Sequence, residues 1–331
     1  MCIRDRIYVH PAGPTSGPLS DGRRRALRAL VAYHASFCPR LKVVSAPQGA
    51  RPTTRDALER LRQKIGANHL LLLTYSPGLN RRKWSLVFIE KGETTWLLKE
   101  ECTVPEGGAD WSELEDALSV LLQEGAARLS LEMAPGEATP VGGGPDEWLA
   151  LSKATDLERQ GKWRQALRLL EEAGADGPPF QLLRAFCAVP PSVQAGDGFP
   201  EVEGLARDRL PPRLAGLAGL LEAPAALSGD EVIGRFADYL ARFPDSARGY
   251  YLLGLWRRYA QGRSRDALAA YRQAVRLDPG YLPAAYACVD LLAAEGDEGL
   301  LAEFIREYEK RAPEKSLLEK VRSRAGILPP G

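Results

Sequence analysis

The stretch Arg248–Pro279, RGYYLLGLWRRYAQGRSRDALAAYRQAVRLDP, decides the fold of this chain. Its second half spaces small, aromatic and helix-ending residues as Ala-x3-aromatic-x2-Ala-x4-Pro, namely Ala267, Tyr271, Ala274 and Pro279. A small residue is needed where two helices cross closely, a large one fills the space one turn later, and proline ends the second helix. Gly254 in the first half matches the close-contact glycine of such a pair. The stretch therefore predicts a helical hairpin.

Further prolines indicate that this hairpin is one of a series. They recur every 33 to 35 residues, at Pro178, Pro211, Pro244, Pro279 and Pro313. The copy that ends at Pro178 repeats the small and large positions with Gly161, Trp163, Ala166, Leu170 and Ala173. The copies before Pro244 and Pro313 lose the small residues, and residues 180–211 are interrupted by further prolines, so whether they form a repeat stays open. The spacing resembles that of tetratricopeptide (TPR) repeats, with an extra residue near the turn of the best copy.

Composition divides the chain into four segments: 7–133, 134–146, 147–316 and 317–331. The second contains APGEATPVGGGP (Ala134–Pro145) and predicts a flexible linker, because this composition cannot pack a core. Ahead of it, strand and helix periods alternate, which predicts an α/β or α+β domain with a small mixed sheet. Behind it the periods are helical, which predicts an all-α TPR-like solenoid and then a C-terminal tail.

The elements expected in the first segment follow from these periods. The predicted strands are Ile7–His10, Leu41–Ser45, His69–Tyr75, Lys83–Glu90 and Glu93–Thr103, and the predicted helices are Asp21–Phe37, Thr53–Ile65 and Asp110–Leu129. The segment resembles the TolB N-terminal or FlgO-type domain family in IYVHP, LSDGRRRALRAL, LKVVS, IGANHLLLL and the KGET turn, although its long Pro-rich first loop departs from that pattern. The resemblance implies a bacterial regulatory protein, since domains of this family often precede TPR arrays in such proteins. It also implies that the first domain is not catalytic.

Charge and cysteine content limit the classes of partner and compartment. The net charge is +1, with 44 basic and 43 acidic side chains, so no overall field attracts nucleic acid or an anionic membrane. No apolar run approaches the roughly 20 residues that cross a bilayer, and we expect no membrane segment in this chain. The five cysteines contain no CxxC pair, which favours free thiols and a cytoplasmic location. The oligomeric state stays open.

The first residues, MCIRDR, resemble a translated sequencing adapter at the start of a metagenomic reading frame. We therefore expect the natural protein to continue upstream, where a further domain or a signal peptide would lie.

Each motif that suggests chemistry has a structural interpretation that we favour. His34 and Cys38 have the spacing of two metal ligands on one helix face, yet no further ligands lie near them in the sequence. The glycines Gly142–Gly144 are not followed by the Lys-Ser/Thr of a phosphate loop, and no G-x-S-x-G is present. Arg23–Arg25 and Glu100–Glu101 lack the partners that nucleic-acid binding or carboxylate catalysis needs. The sequence thus predicts no catalytic, cofactor-binding or metal-binding residue and no enzyme, unless a catalytic domain lies upstream.

The resemblance to TPR repeats implies a groove lined by the first helix of each hairpin. Transferred to the best copy, the groove positions are Arg248, Tyr251, Leu255, Arg258 and Tyr259. Arginine grips carboxylates through paired hydrogen bonds and tyrosine adds stiff apolar area, which suits an acidic protein or peptide partner. In the alternative, the tyrosines pack between repeats and the arginines are merely solvated.

The predicted function is that of a non-catalytic interaction scaffold or regulatory module. Two alternatives stay open. The chain is the sensory or recruiting C-terminal portion of a larger signalling enzyme, such as a bacterial Ser/Thr kinase or cyclase-like regulator, or it is a cell-envelope assembly component.

Overall fold

The computed structural model describes residues 5–12, 21–37, 41–44, 60, 69–77, 81–90, 98–105, 115–116, 118–120, 144–200, 205–312 and 314–327. The chain divides into two compact units. The first comprises Met1–Ser152, Leu170–Phe180 and Ala206–Ala215, and the second comprises Lys153–Leu169, Gln181–Leu205 and Gly216–Gly331.

A five-stranded mixed sheet belongs to the first unit. Its strands are β1 (Asp5–Ala12), β2 (Leu41–Val44), β3 (His69–Pro77), β4 (Arg81–Glu90) and β5 (Leu98–Pro105). In the order β2-β1-β3-β4-β5, β1 pairs in parallel with β2 and β3, whereas β3, β4 and β5 are antiparallel neighbours. Ile7 is in register with Val43 on one side and with His69 on the other.

Within the described residues, eleven α-helices have defined bounds. They are α1 (Asp21–Ala35), α2 (Pro145–Arg159), α3 (Trp163–Glu172), α4 (Pro178–Ala195), α5 (Pro212–Ala226), α6 (Gly229–Arg242), α7 (Ala247–Leu255), α8 (Ser264–Leu277), α9 (Leu282–Ala294), α10 (Glu298–Glu309) and α11 (Lys315–Arg324). A 3₁₀ turn covers Arg207–Arg209 and a π turn covers Trp256–Ala260. Among the described helices, none is both long and apolar enough to cross a membrane.

In the first unit, the side chains near the end of α1 contact helical segments. The Tyr33 ring lies 5.6 Å from that of Trp148, and its hydroxyl donates a hydrogen bond of 2.8 Å to the carbonyl oxygen of Arg209. His34 Nε2 lies 3.3 Å from Glu115 Oε1, and both side chains are 1% exposed. His34 is thus a buried helix residue in a pair with a carboxylate, whereas Cys38 lies outside the described residues.

The predicted fold class, a domain built on a small mixed sheet ahead of an all-α solenoid, requires a correction. The residues whose side-chain burial the structure describes are 78% helical, and none of them lies on a strand. The described core residues belong to helices or to the turns beside them. The physical reason is visible at the end of α1, because the described side-chain partners of Tyr33 and His34, which are Trp148 and Glu115, lie on helices. The side-chain packing that the structure describes is therefore helical.

The predicted hairpin in the second unit is formed by α7 and α8. Gly254 lies against the ring of Tyr271, so close that a methyl group at this position would overlap the ring. Both residues are buried, together with Ala267 and Ala274. The π turn follows α7 directly and holds an additional residue relative to an α turn, which accommodates the extra residue of this copy. Gly262, with φ +65°, then allows the chain to reverse into α8.

A second close contact, which the sequence pattern did not reveal, joins α5, α6 and α7. The ring of Tyr239 is wedged between Gly216 and Gly249, and a Cβ at either glycine would come within 2.6 Å of it. Its hydroxyl lies 2.9 Å from the hydroxyl of Ser246, which caps α7 by accepting from the Gly249 N–H. Tyr239 therefore holds three helices together in a copy that lacks the usual small residues.

The structure describes three further predicted segments only in part. Residues 180–211 contain α4, which continues through Pro190 and Pro191, and then the 3₁₀ turn. The tail predicted from residue 317 begins inside α11, whose Leu318 and Val321 are buried. The linker predicted over 134–146 lies outside the described residues up to 143, as do most residues of the helices predicted over Thr53–Ile65 and Asp110–Leu129.

Candidate protein-binding surface

Arg248, predicted to bind a partner, forms an ion pair within the chain. Its Nη2 and Nε donate hydrogen bonds to Oε2 and Oε1 of Glu158, at 2.5 and 3.3 Å. Glu158 lies in the last turn of α2 and is 0% exposed, whereas Arg248 at the start of α7 is 29% exposed. A carboxylate removed from water needs such paired donors, because its desolvation otherwise costs several kcal/mol.

The next residue of α2 makes a second ion pair with a different element. Arg159 Nη1 and Nη2 donate to Oδ2 and Oδ1 of Asp278, at 2.6 and 3.0 Å. Asp278 also accepts the N–H of Gly280, at 3.1 Å, within the turn between α8 and α9. Arg159 is 41% exposed and Asp278 29%, so this pair lies at the solvent edge and contributes about 1 kcal/mol at most.

The turn after α2 places an aromatic ring on α7. The rings of Trp163 and Tyr251 are stacked, with centroids 6.3 Å apart and planes 17° from parallel. Between the two contacts, Gly161 has φ +73° and lies beside Pro283 and Tyr286 of α9. We call Glu158–Trp163 the internal turn, since it covers the first part of α7.

The five residues predicted to line a groove are therefore in two different environments. Tyr251 and Leu255 are buried, with 3% and 1% of their surface exposed. The Tyr251 ring also contacts those of Tyr271 and Tyr281, at 5.8 and 5.5 Å. Tyr251 thus packs between helices, as in the alternative in which the tyrosines do not line a groove. Arg248 is paired with Glu158 within the chain.

Arg258 and Tyr259 lie in the π turn and are accessible. Tyr259 is 39% exposed, and the Arg258 guanidinium carbon lies 5.2 Å from the centre of its ring. The neighbouring Arg257 donates to the carbonyl oxygen of Asp266, at 3.2 Å, which leaves further guanidinium donors. A π turn changes the direction in which its side chains leave the helix, and here it carries a cation and a ring side by side.

The charge around this turn differs from that of the whole chain. Between Arg257 and Asp266 the sequence contains four arginines and one carboxylate, that of Asp266. Arg263 is 66% exposed and lies 3.9 Å from Asp266, a weak pairing in water. The turn between α7 and α8 is therefore locally cationic in a chain that is nearly neutral overall, and it can attract an anionic segment.

Burial and the Glu158 carboxylate determine the ionisation of the groups around the internal turn. Burial raises the pKa of Tyr281 well above its usual value, and Glu158 raises it further. Burial raises the pKa of the Cys187 thiol to about 12, with a smaller contribution from Glu158. For Arg248, burial works to lower the pKa, but the attraction of Glu158 outweighs it and the pKa lies above its usual value. The tyrosines and the thiol are thus neutral at physiological pH, and the guanidinium is charged.

The sequence pattern identified neither the pair of Glu158 with Arg248 nor the pair of Arg159 with Asp278. The partners are 90 and 119 residues apart, and no local spacing reports such a contact. One weak signal existed, since a glutamate in the last turn of a helix faces the negative end of the helix dipole and gains from a cation nearby. Within the described residues, no cluster of three or more His, Cys, Asp or Glu side chains could hold a metal ion.

No family model matches this chain. Over 84 residues it is 38% identical to a protein of Pseudomonas putida named "Probable biofilm formation methyltransferase WspC". The match covers 25% of this chain and 19% of that protein, so the chain spans about a fifth of the length of the curated relative it matches. This relative and the helical structure loosely fit a TPR-like protein, whereas the resemblance to TolB N-terminal or FlgO-type domains has no support from the comparisons.

The prediction that the protein is not an enzyme is corrected by this comparison. The matched relative is named as a methyltransferase, which stands against the predicted absence of an enzyme. The prediction relied on motifs of hydrolases, nucleotide-binding loops and metal sites, and the lack of these motifs does not exclude other classes of reaction.

Proposed function

We propose that the helical repeats of this chain bind a partner protein in a bacterial signalling system, at the surface formed by Arg257, Arg258 and Tyr259. The observation that carries this proposal is the local excess of arginine at the turn between α7 and α8, where Arg257, Arg258, Arg263 and Arg265 accompany one carboxylate, that of Asp266. Such a surface selects an acidic segment, because guanidinium groups bind carboxylates through two parallel hydrogen bonds. The exposed ring of Tyr259 adds apolar area for a side chain of the partner.

The similarity to WspC supports the part of the proposal that places this chain in a signalling system. That protein is named for biofilm formation and as a methyltransferase, which are a regulated behaviour and a catalytic activity. We propose that partner binding at the arginine surface serves a methyltransferase of this kind. The cytoplasmic location predicted from the free cysteines stays a prediction.

A charge-reversal experiment on the full chain tests the binding surface. The probe is a short fluorescein-labelled peptide rich in glutamate with two phenylalanines, and its control carries glutamine in place of each glutamate. Fluorescence anisotropy of the wild-type chain should show binding of the first peptide, weakened at least about tenfold in R257E/R258E. The matched control is R306E/R311E, which reverses two exposed arginines on and just after α10.

The proposal is sustained if R257E/R258E binds the peptide at least about tenfold more weakly while the control variant binds it like the wild-type chain, and it is overturned if R257E/R258E binds like the wild-type chain. It is overturned if both double variants lose binding equally, because the effect would then reflect net charge alone. It is also overturned if the wild-type chain binds neither peptide or binds both equally well.

A further inference from the structure

We infer that the first part of α7, with Arg248 and Tyr251, is a second binding site whose ligand is a turn between two helices that carries a carboxylate and, five residues later, an aromatic ring. The internal turn occupies this site in the structure. The inference concerns the opposite end of α7 from the arginine surface and does not depend on the proposed function.

The contacts of the internal turn are those of a bound ligand. Six consecutive residues place a carboxylate on Arg248, a guanidinium on Asp278 and an indole on Tyr251. These anchors reach α7, the turn after α8 and, through Gly161, the first turns of α9. One short segment thus recognises three elements that come much later in the sequence.

The carboxylate supplies the specificity of this site. Glu158 is 0% exposed, and Arg248 holds it through two nitrogens, with the Phe186 ring 5.5 Å from the guanidinium carbon on one face. A neutral side chain at this position would lose the charge-assisted hydrogen bonds to Arg248, and a basic one would also be repelled by its charge. The site therefore selects an aspartate or a glutamate.

The outer contacts of the internal turn are weak enough to be exchanged. Arg159 is 41% exposed, and an ion pair with this exposure contributes about 1 kcal/mol at most. Trp163 is only half-buried on Tyr251, and Gly161 meets Pro283 and Tyr286 at ordinary contact distances. A partner segment with the same carboxylate and aromatic ring can therefore compete with the internal turn for Arg248 and Tyr251.

The experiment uses the internal turn itself as the probe. A labelled synthetic peptide of residues Lys153–Leu169, KATDLERQGKWRQALRL, is titrated into the full chain. The variants W163A and E158Q/W163A weaken the internal turn, and we expect each to bind the peptide at least about tenfold more tightly than wild type, because the competing segment has lost one or two of its three anchors. A peptide with glutamine and alanine at the two anchor positions is the matched control and should bind no better to the variants than to wild type.

A third arm identifies the site that the peptide occupies. Adding R248M to W163A should remove the gain in peptide affinity. Circular dichroism shows which variants are folded, and the single W163A variant decides the matter if E158Q/W163A is not. Equal peptide affinity for wild type and folded W163A, binding of the control peptide as tightly as the native one, or a gain that survives R248M would each overturn the inference.

Discussion

The carboxylate of Glu158 and the guanidinium of Arg248 join two helices that are 90 residues apart in sequence, with Oε2 and Nη2 separated by 2.5 Å. The pair is unequal, since Glu158 is 0% exposed and Arg248 29%. Removing the arginine and removing the glutamate therefore lower the free energy of unfolding by different amounts. Without the arginine the carboxylate is buried and unpaired, whereas without the glutamate the arginine still reaches water.

This inequality predicts the outcome of a double-mutant cycle. Arg248→Met should lower the free energy of unfolding by about 3–5 kcal/mol, and Glu158→Met by about 1–3 kcal/mol. The double variant should lose less than the sum, because two apolar side chains of similar length replace the pair without an orphaned charge. Urea unfolding of the four chains measures the coupling, and strictly additive losses would show that the pair contributes nothing.

The close contact of Gly254 with Tyr271 predicts a strong dependence on side-chain size. Gly254→Ala should destabilise the chain by about 1–3 kcal/mol, since the added methyl group forces α7 and α8 apart. Gly234 provides the matched control, because it is exposed in the interior of α6 and has nothing within 4 Å of its missing Cβ. Gly234→Ala should stabilise by about 0.5–1 kcal/mol. Thermal unfolding that shifts in the same direction for both variants would contradict this packing.

The buried tyrosines predict a loss of stability at alkaline pH. Burial raises the pKa of Tyr308 to about 12 and holds the pKa values of Tyr251 and Tyr281 well above their usual value near 10. A raised folded-state pKa gives a contribution that is complete below the unfolded pKa and is lost as the pH rises towards the folded one. The free energy of unfolding should therefore fall between about pH 10 and 12.

The measurement follows tyrosinate absorbance together with circular dichroism through this pH range. These tyrosines should ionise cooperatively as the helices unfold. Gradual ionisation of all eleven tyrosines while the helical signal persists would show that they are accessible to solvent.

The sequence contained the local geometry of the repeats but not their distant contacts. Gly254, Tyr271 and Pro279 report the crossing and the end of two adjacent helices, because each acts within about thirty residues of the others. Gly161 likewise marked a turn, and its φ of +73° confirms that role. Such signals act within one helix or between two adjacent helices, so the spacing of residues along the chain reports them.

The environment of the predicted groove could not be read from the same pattern. Tyr251 and Tyr259 lie on one continuous helical stretch, yet one is 3% exposed and the other 39%. The difference arises from Trp163, which reaches α7 from far upstream, and from the π turn, which redirects Tyr259. Position within a repeat therefore assigned both tyrosines the same role, and only the three-dimensional contacts separate them.

Accessibility of individual arginines tests most directly whether the helical stretch formed by α7 and the π turn has one covered end and one open end. The full chain is treated briefly with an arginine-specific glyoxal reagent, and modified peptides are quantified by mass spectrometry. We expect Arg258 to react readily and Arg248 slowly, with the rate at Arg248 rising in W163A. Reaction of Arg248 as fast as Arg258 in the wild-type chain would contradict the covering of this site by the internal turn.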